Sequence, residues 1–359
     1  MKESRKQLKV IYKGKQVGTL AQARNRSIAF EYSDEWIEQG FSISPIYLPL
    51  EKKVFIPKKD PFCGLFGVFA DSLPDAWGRL LLDRTLQANA IDPQELNQLD
   101  RLAIVGSNGM GGLEYVPEYE LNIHGTSKTL DELSTECTRI LENADADLDT
   151  IFRLGGSSGG SRPKAYVNMD GKEWIVKFPL STEGENQGLR EYEYSVLAKS
   201  KGINMTETKL CPSEICDGYF ATVRFDRPKV HMLSAAAALE VDFERSLTDY
   251  SELFKLTNYL TNGRKADIEQ LYRVMCFNVI YGNQDDHLKN FTFIHDDERD
   301  TWKLSPAYDL TKITTGYGEH TTTVNGKGRY ITEEDVITVG KGAGLSSKRC
   351  AVIWEEIKE

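Results

Sequence analysis

The stretch "KAYVNMDGKEWIVKF", Lys164 to Phe178, leaves the chain little freedom. Two runs of β-branched and aromatic residues meet at Asp170-Gly171, a pair that suits the two positive-φ positions of a type I′ turn. A two-residue turn sets the register: Met169 faces Lys172, Val167 faces Trp174, and Lys164 faces Lys177. Like charges placed opposite each other on one sheet face destabilise the pairing by a few tenths of a kcal/mol or more, roughly. Either an anion lies between the two lysines, or the hairpin ends splay and both ammonium groups turn to water.

Just upstream, "LGGSSGGSRPK" (Leu154 to Lys164) packs glycine and serine as phosphate-holding loops do. It does not fit the Walker pattern, because Ser161-Arg162-Pro163 follows Gly160 where Lys-Ser or Lys-Thr is required. A different phosphate cradle, a flexible linker and a target of modification all remain open.

Hydrophobic periodicity organises the rest. "QLKVIYKGKQVGTL" alternates around a turn and predicts a hairpin; "RSIAFEYSDEWI" and "FSISPIYLPL" continue the β-rich pattern. "FGVFADSLPDAWGRLLLDRTLQ" changes to helical spacing, with Ser72 or Asp75 as the cap. "NIHGTSKTLDELSTECTRILENAD" carries a second capped amphipathic helix, and "NQGLREYEYSVLAKSKGI" a helix ended by Gly202. Two strand-like runs come next in "ETKLCPSEICDGYFATVRFDR", and from about 227 the pattern is mainly helical. The chain reads as α+β: a β-rich module over 1–115, a small lobe over 116–226 with the Gly/Ser loop and lysine hairpin, and a helical lobe over 227–359.

A formal charge of −10 argues against chain-wide attraction to nucleic acid or anionic lipid, although the first fifteen residues are locally basic. Nothing resembles a signal peptide, and no run approaches the ~18 apolar residues of a membrane span. Six scattered cysteines without a C-x-x-C pair fit free thiols in a reducing cytoplasm.

Chemistry concentrates in "GNQDDHLKNFTFI", Gly282 to Ile294, where charged residues separate an apolar helix from an apolar strand. Asp285 and Asn290 have the D-x-x-x-x-N spacing of a kinase catalytic loop, whose aspartate accepts the substrate hydroxyl proton and whose asparagine holds Mg²⁺. Lys289 can touch a transferred phosphate, and His287 can order the loop backbone through its ring nitrogens. "WKLSPAYDLT" then brings Asp309, expected at a strand end, as a second metal carboxylate. His287 with Asp285 and Asp309 would equally suit a metal-dependent hydrolase. Chain order separates the readings, since a hydrolase has no need of the upstream loop and lysine.

These segments together resemble the HipA family of serine/threonine kinases, toxins of bacterial type II toxin–antitoxin modules, over nearly the whole length. "FCGLFGVFADSLPDAWGRLLLDR" is similar to the family's N-terminal module, "GGSSGGSRPKAYV" to its glycine loop and "EWIVKFPL" to its ATP-lysine strand. "VRFDR" resembles the hinge, "GNQDDHLKNFTFI" the catalytic loop and "LSPAYDLT" the metal motif. The resemblance implies a two-lobed, protein-kinase-like fold that uses ATP and Mg²⁺. Asp285 would be the base, with His287 and Lys289 beside it, and Asn290 and Asp309 the metal ligands. Lys177 would hold the ATP phosphates, with Glu191 as ion-pair partner and Glu193 as its competitor. Lys164, Gly159, Gly160 and Ser161 would line the nucleotide. Val223 and Phe225 would offer backbone groups to adenine, and Asp226 would approach the ribose.

Family members shut themselves off by phosphorylating a glycine-loop serine, which implies Ser157, with Ser158 or Ser161 able to share the role. An aminoacyl-tRNA synthetase is the implied kind of substrate, and a helix-turn-helix antitoxin of the HipB type the implied partner, supplying the DNA contact. A kinase-like binding protein acting as co-repressor with that antitoxin is the alternative. The sequence stops after "VIWEEIKE", short for the family's helical lobe, so a further helix is expected there.

Overall fold

The structure is a computed structural model that describes residues 5–359 except 24, 25, 120, 122–124, 181–183, 185, 246, 314 and 316. The first four residues of the basic N-terminal stretch thus lie outside the described residues. The chain divides into two compact units, one of Met1–Leu189 with Thr208–His231, the other of Arg190–Glu207 with Met232–Glu359.

The first unit holds two antiparallel sheets. Strands β1 (Gln7–Tyr12) and β2 (Lys15–Gln22) form the expected hairpin, closed by Lys13 and Gly14 at φ 48° and 78°. Strand β3 (Ile28–Tyr32) comes next, but Ser33 then caps a short helix, α1 (Asp34–Gln39), so "SDEWI" leaves the sheet. The "FSISPIYLPL" segment is not a strand. It keeps a single bridge between Ser44 and Leu48, because the prolines at 45 and 49 remove the donors a ladder needs. Strand β4 (Val54–Phe55), helices α2 (Gly67–Ala70), α3 (Ala76–Ala88) and α4 (Gln98–Val105), and strand β5 (Leu113–Val116) complete this part, with sheet order β4-β3-β2-β1-β5.

Helix α5 (Leu130–Leu141) starts with a Thr129–Glu132 capping box, and Asp147 caps α6 (Leu148–Gly155). The second sheet pairs β6 (Lys164–Met169) with β7 (Lys172–Lys177) in the register set by the Asp-Gly turn, Lys164 opposite Lys177. Helix α7 (Gln187–Ser200) comes next and belongs mostly to the second unit; β8 (Thr208–Cys211) and β9 (Tyr219–Val223) complete the sheet in the order β6-β7-β9-β8. Trp77, Leu81, Ile140, Ile151, Trp174 and Val176 share one buried cluster, so α3, α5 and α6 pack on this sheet. Each such side chain contributes about 1.5–3 kcal/mol of burial.

The second unit is helical but carries two small sheets as well. Strand β10 (Met232–Ser234), helix α8 (Ala235–Leu239), strand β11 (Thr248–Asp249) and helix α9 (Tyr250–Leu260) precede α10 (Lys265–Tyr281), whose Leu271, Met275 and Phe277 are buried. Gly282, left-handed at φ 74°, stops α10 and turns the chain into the charged segment. Strands β12 (Thr292–Asp296) and β13 (Thr301–Leu304) join β10 in the order β10-β12-β13, while β14 (Thr322–Thr323) pairs with β11. Helices α11 (Glu333–Gly342) and α12 (Ser347–Lys358) close the unit.

Close approach demands glycine at position 18. A Cβ at Gly18 would collide with the Glu31 carbonyl and the Phe30 ring on β3. Gly18→Val is therefore expected to cost about 1–3 kcal/mol by overpacking. An unchanged urea midpoint would contradict this.

Candidate active site

The loop beyond α6 is shorter than its composition suggests, since Leu154 and Gly155 belong to the helix. From Gly156 onward the loop is seated on the N-terminal module. Asp75 stands at the N-cap of α3 yet makes no capping bond; its Oδ2 instead accepts from the Gly160 N–H at 2.9 Å. The Trp77 N–H donates in return to the Gly160 carbonyl at 3.2 Å. A Cβ at Gly78 would stand 2.8 Å from the Ser158 carbonyl and 3.0 Å from that of Gly156, so only glycine lets α3 approach the loop this closely. Asp75 and Gly78 were legible only as a cap and a helix residue.

Ser157 is partly exposed and donates to the Asn108 carbonyl at 2.7 Å. Ser158 is fully buried, its hydroxyl on the Gly155 carbonyl at 2.6 Å, and Ser161 is exposed. Of the adjacent pair, Ser157 is the one open to a reactant in this conformation.

The two lysines do not both turn to water. Lys164 is buried and its Nζ donates to the Gly159 carbonyl, while Gly160, at φ 82°, passes so close that a Cβ would lie 2.6 Å from that Nζ. Lys177 is half-buried, its Nζ 5.6 Å from the centroid of the Phe220 ring. The glycine loop thus folds its own carbonyl dipole onto Lys164, which relieves part of the repulsion that the register imposes.

Val223 ends β9, paired with Trp174, and Phe225 lies two residues on, half-buried. Asp226 is not a free acid: it is buried, accepts from Arg224 Nε at 3.0 Å and Nη2 at 2.7 Å, from Arg227 Nη1 at 2.8 Å and from the Gly111 N–H at 2.8 Å. Burial works to raise its pKa, but the Arg224 bonds and charge, with Arg227, outweigh that and hold it below the ordinary carboxylate value. Arg224 and Arg227 also reach the Gly109 carbonyl. The carboxylate gathers these donors and fastens residues 109–111 to the exit of β9.

On α7, Glu191 is buried and Glu193 exposed. A carboxylate withdrawn from water demands compensation that an exposed one does not. Glu191 is therefore the acidic residue with a constrained role.

In the second unit the charged segment closes on itself. Asn290 donates through Nδ2 to the Asp285 carbonyl at 2.7 Å, and its own N–H bonds the His287 carbonyl, forming one 3-10 turn over Leu288–Asn290. Asp285 points outward, its side chain 45% exposed, with His287 Nε2 at 3.8 Å. His287 does not order the backbone by hydrogen bonds: Nδ1 is buried without a partner among the described residues, and the ring instead packs on Phe243 at 4.8 Å. Lys289 Nζ lies 5.5 Å from the same ring centroid, and its carbonyl accepts from Tyr308 at 2.6 Å.

Asp309 is not on a strand end. It lies five residues beyond β13 in left-handed backbone at φ 53°, with the Asn283 amide at 3.4 Å from its carbonyl. No group of three or more His, Cys, Asp or Glu among the described residues could hold a metal unaided. The Asp309 carboxylate and the Asn290 carboxamide are nevertheless oxygen donors of the kind Mg²⁺ takes, and that ion ordinarily completes its shell with nucleotide phosphates and water.

Residues 8–116 match the HipA N-terminal domain and residues 156–359 the HipA-like C-terminal domain. The chain belongs to the HipA family. A protein named "Putative kinase Y4mE" from Sinorhizobium fredii is 27% identical over 345 residues, 84% of this chain and 76% of that one. A second from the same organism, "Putative kinase Y4dM", is 28% identical over 223 residues, 53% of each chain. The HipA fold is shared with the Shewanella oneidensis HipA solved with HipB and operator DNA, at TM-score 0.73 and 18% identity, covering 98% of this chain and 88% of that one.

Because Asp226 has a depressed pKa, its contribution to stability is present above the unfolded carboxylate value and is lost as pH falls through the folded one. Asp226→Asn should destabilise by about 3–5 kcal/mol near neutrality, the cost of breaking a buried pair. The gap from the parent should narrow once pH drops below about 4. A gap that is constant with pH in denaturant titrations would contradict the assignment.

Proposed function

We propose that this HipA-family chain is a Mg·ATP-dependent protein serine/threonine kinase that phosphorylates its own Gly/Ser loop, at Ser157 first. Its substrate would be a translation component such as an aminoacyl-tRNA synthetase, whose phosphorylation arrests growth. The observation that carries the reading is the closed loop Asp285–Asn290. The Asn290 carboxamide spends its nitrogen on the Asp285 carbonyl, which aims Oδ1 away from that bond, while the Asp285 carboxylate stays partly open to solvent. One residue is thereby suited to accept a hydroxyl proton and the other to ligate a hard cation.

In this mechanism Lys177 and the Gly159–Ser161 backbone hold the phosphates, with Lys164 supporting the loop from below. Val223 and Phe225 offer backbone groups to the base. Asp285 orients the attacking hydroxyl and takes its proton as that oxygen bonds the γ-phosphorus of ATP and the bond to ADP breaks, and Lys289 steadies the moving charge. Mg²⁺, held by Asn290 and Asp309, would neutralise the phosphate oxygens when bound. Catalysis of this type is mostly positioning and electrostatics, which fits a site of fixed loops rather than a covalent nucleophile.

A partner of the HipB type, with a DNA-binding helix-turn-helix, suits a chain whose own charge is −10. The Shewanella HipA was solved with HipB and operator DNA, which supports the proposal. Co-repression with that partner is compatible with the kinase reading and does not need Asp285.

Asp285→Asn should abolish autophosphorylation without altering the unfolding midpoint. In intact mass spectrometry the parent should carry an extra phosphate, about 80 Da, on Ser157 or a neighbour, and the variant none. Phosphate on the variant would end the assignment of Asp285 as base. Asp309→Asn should weaken Mg²⁺-dependent ATP binding in calorimetry, and unchanged affinity would contradict the metal role.

A further inference from the structure

The second aspartate of "QDDH" faces the opposite way from the first. Asp286 is buried, and its Oδ2 accepts from Tyr250 Oη at 3.0 Å and from His320 Nδ1 at 3.0 Å. Its Oδ1 accepts from the Thr322 N–H at 3.1 Å, and its carbonyl from Thr322 Oγ1 at 2.5 Å. The carboxylate therefore takes no part in proton transfer to a reactant. Its partners sit on α9 and around β14, elements far from it in sequence.

The bonds continue beyond Tyr250. Its hydroxyl accepts from Asn278 Nδ2 at 2.9 Å; Asn278 Oδ1 accepts from Asn283 Nδ2 at 3.0 Å; and the same Nδ2 lies 3.4 Å from the Asp309 carbonyl. Burial and the charge of Asp286 push the Tyr250 hydroxyl well above its ordinary pKa, so it remains a donor to the carboxylate. One unbroken chain of buried polar groups thus runs from Asp286 to the backbone of Asp309. That backbone is left-handed for a residue with a Cβ, a conformation that persists only where surroundings over-determine it. Parallel bridging of Asn283 to Ile313 adds a second tie over the same interval.

We infer that Asp286 is a positioning residue for phosphoryl transfer, holding the loop of Asp285 and the backbone of Asp309 in one frame through Tyr250, Asn278 and Asn283. This rests on the kinase reading above. Tyr250 Oη is the link whose loss is cleanest, because phenylalanine keeps the ring that packs edge-on against Phe291.

The test uses the full chain as parent, Tyr250→Phe and Asp286→Asn, with Asp285→Asn as the inactive control. Per folded molecule, Tyr250→Phe should lower kcat roughly 10- to 100-fold, the scale of a small misplacement. The KM for ATP should stay within about twofold, since uniform binding is untouched, and the Mg²⁺ concentration for half-maximal rate should rise. Hydrogen exchange should increase together at residues 285–291 and 308–311. A lowered melting temperature with normal kcat and Mg²⁺ dependence per folded molecule would overturn the inference and leave Asp286 merely structural. If Asp286→Asn fails to fold, Tyr250→Phe decides alone. If the parent itself transfers no phosphate, the kinase reading fails separately, and exchange still decides the linkage: a rise in one segment only, or in neither, refutes it.

Discussion

A carboxylate carried out of water must be met by donors on every side, and Asp226 organises the first unit by that requirement. Its two oxygens collect a bidentate arginine, a second arginine and a backbone amide from the N-terminal module. An ion pair so buried is a poor source of net stability but a severe penalty when halved. Its value lies in geometry: the 109–111 turn has one place to sit against the exit of β9. Lys229 extends the arrangement to the Ser107 carbonyl and to Glu114 at 3.4 Å.

The neighbouring turn then bears on the glycine loop. Asn108 receives the Ser157 hydroxyl, Asp75 receives the Gly160 amide, and Gly78 admits the loop backbone against α3. A glycine-rich segment loses much conformational entropy when ordered, so external tethers are what give it a definite shape. The N-terminal module thereby becomes part of how the loop is presented, and the bond from the Ser157 hydroxyl to the Asn108 carbonyl is one readily exchanged for water or a reactant.

In the second unit the same physics acts on Asp285 and Asp286. One carboxylate is left partly open to solvent beside His287, and its neighbour is buried and met by three donors. Successive residues in extended or turning backbone point to opposite sides, so a pair of aspartates can serve one reactive and one supporting purpose. His287 fits this division, fixed by its contact with Phe243 rather than by hydrogen bonds.

Local patterns carried much of this fold. The Asp-Gly turn set the β6–β7 register, the Thr129–Glu132 box started α5, and Gly282 ended α10, because each depends on backbone preferences spanning a few residues. The cluster around Asp285 was legible for the same reason, its members being near neighbours in the chain. "FSISPIYLPL" misled because apolar content outweighed its two prolines, and Asp309 because a strand rule cannot foresee a left-handed residue. That Glu191 is buried and Glu193 exposed, and Ser158 buried and Ser157 partly open, was beyond local reading, since burial is set by remote contacts. Likewise Asp226 reads as a free acid and Asp75 as a helix cap until residues as much as 115 positions away supply their partners. The sequence by itself determined most of the elements and which chemistry-bearing residues lie close together along the chain. Only the tertiary structure decided which polar groups face water and which are consumed in holding the rest, because burial is a property of contacts remote along the chain.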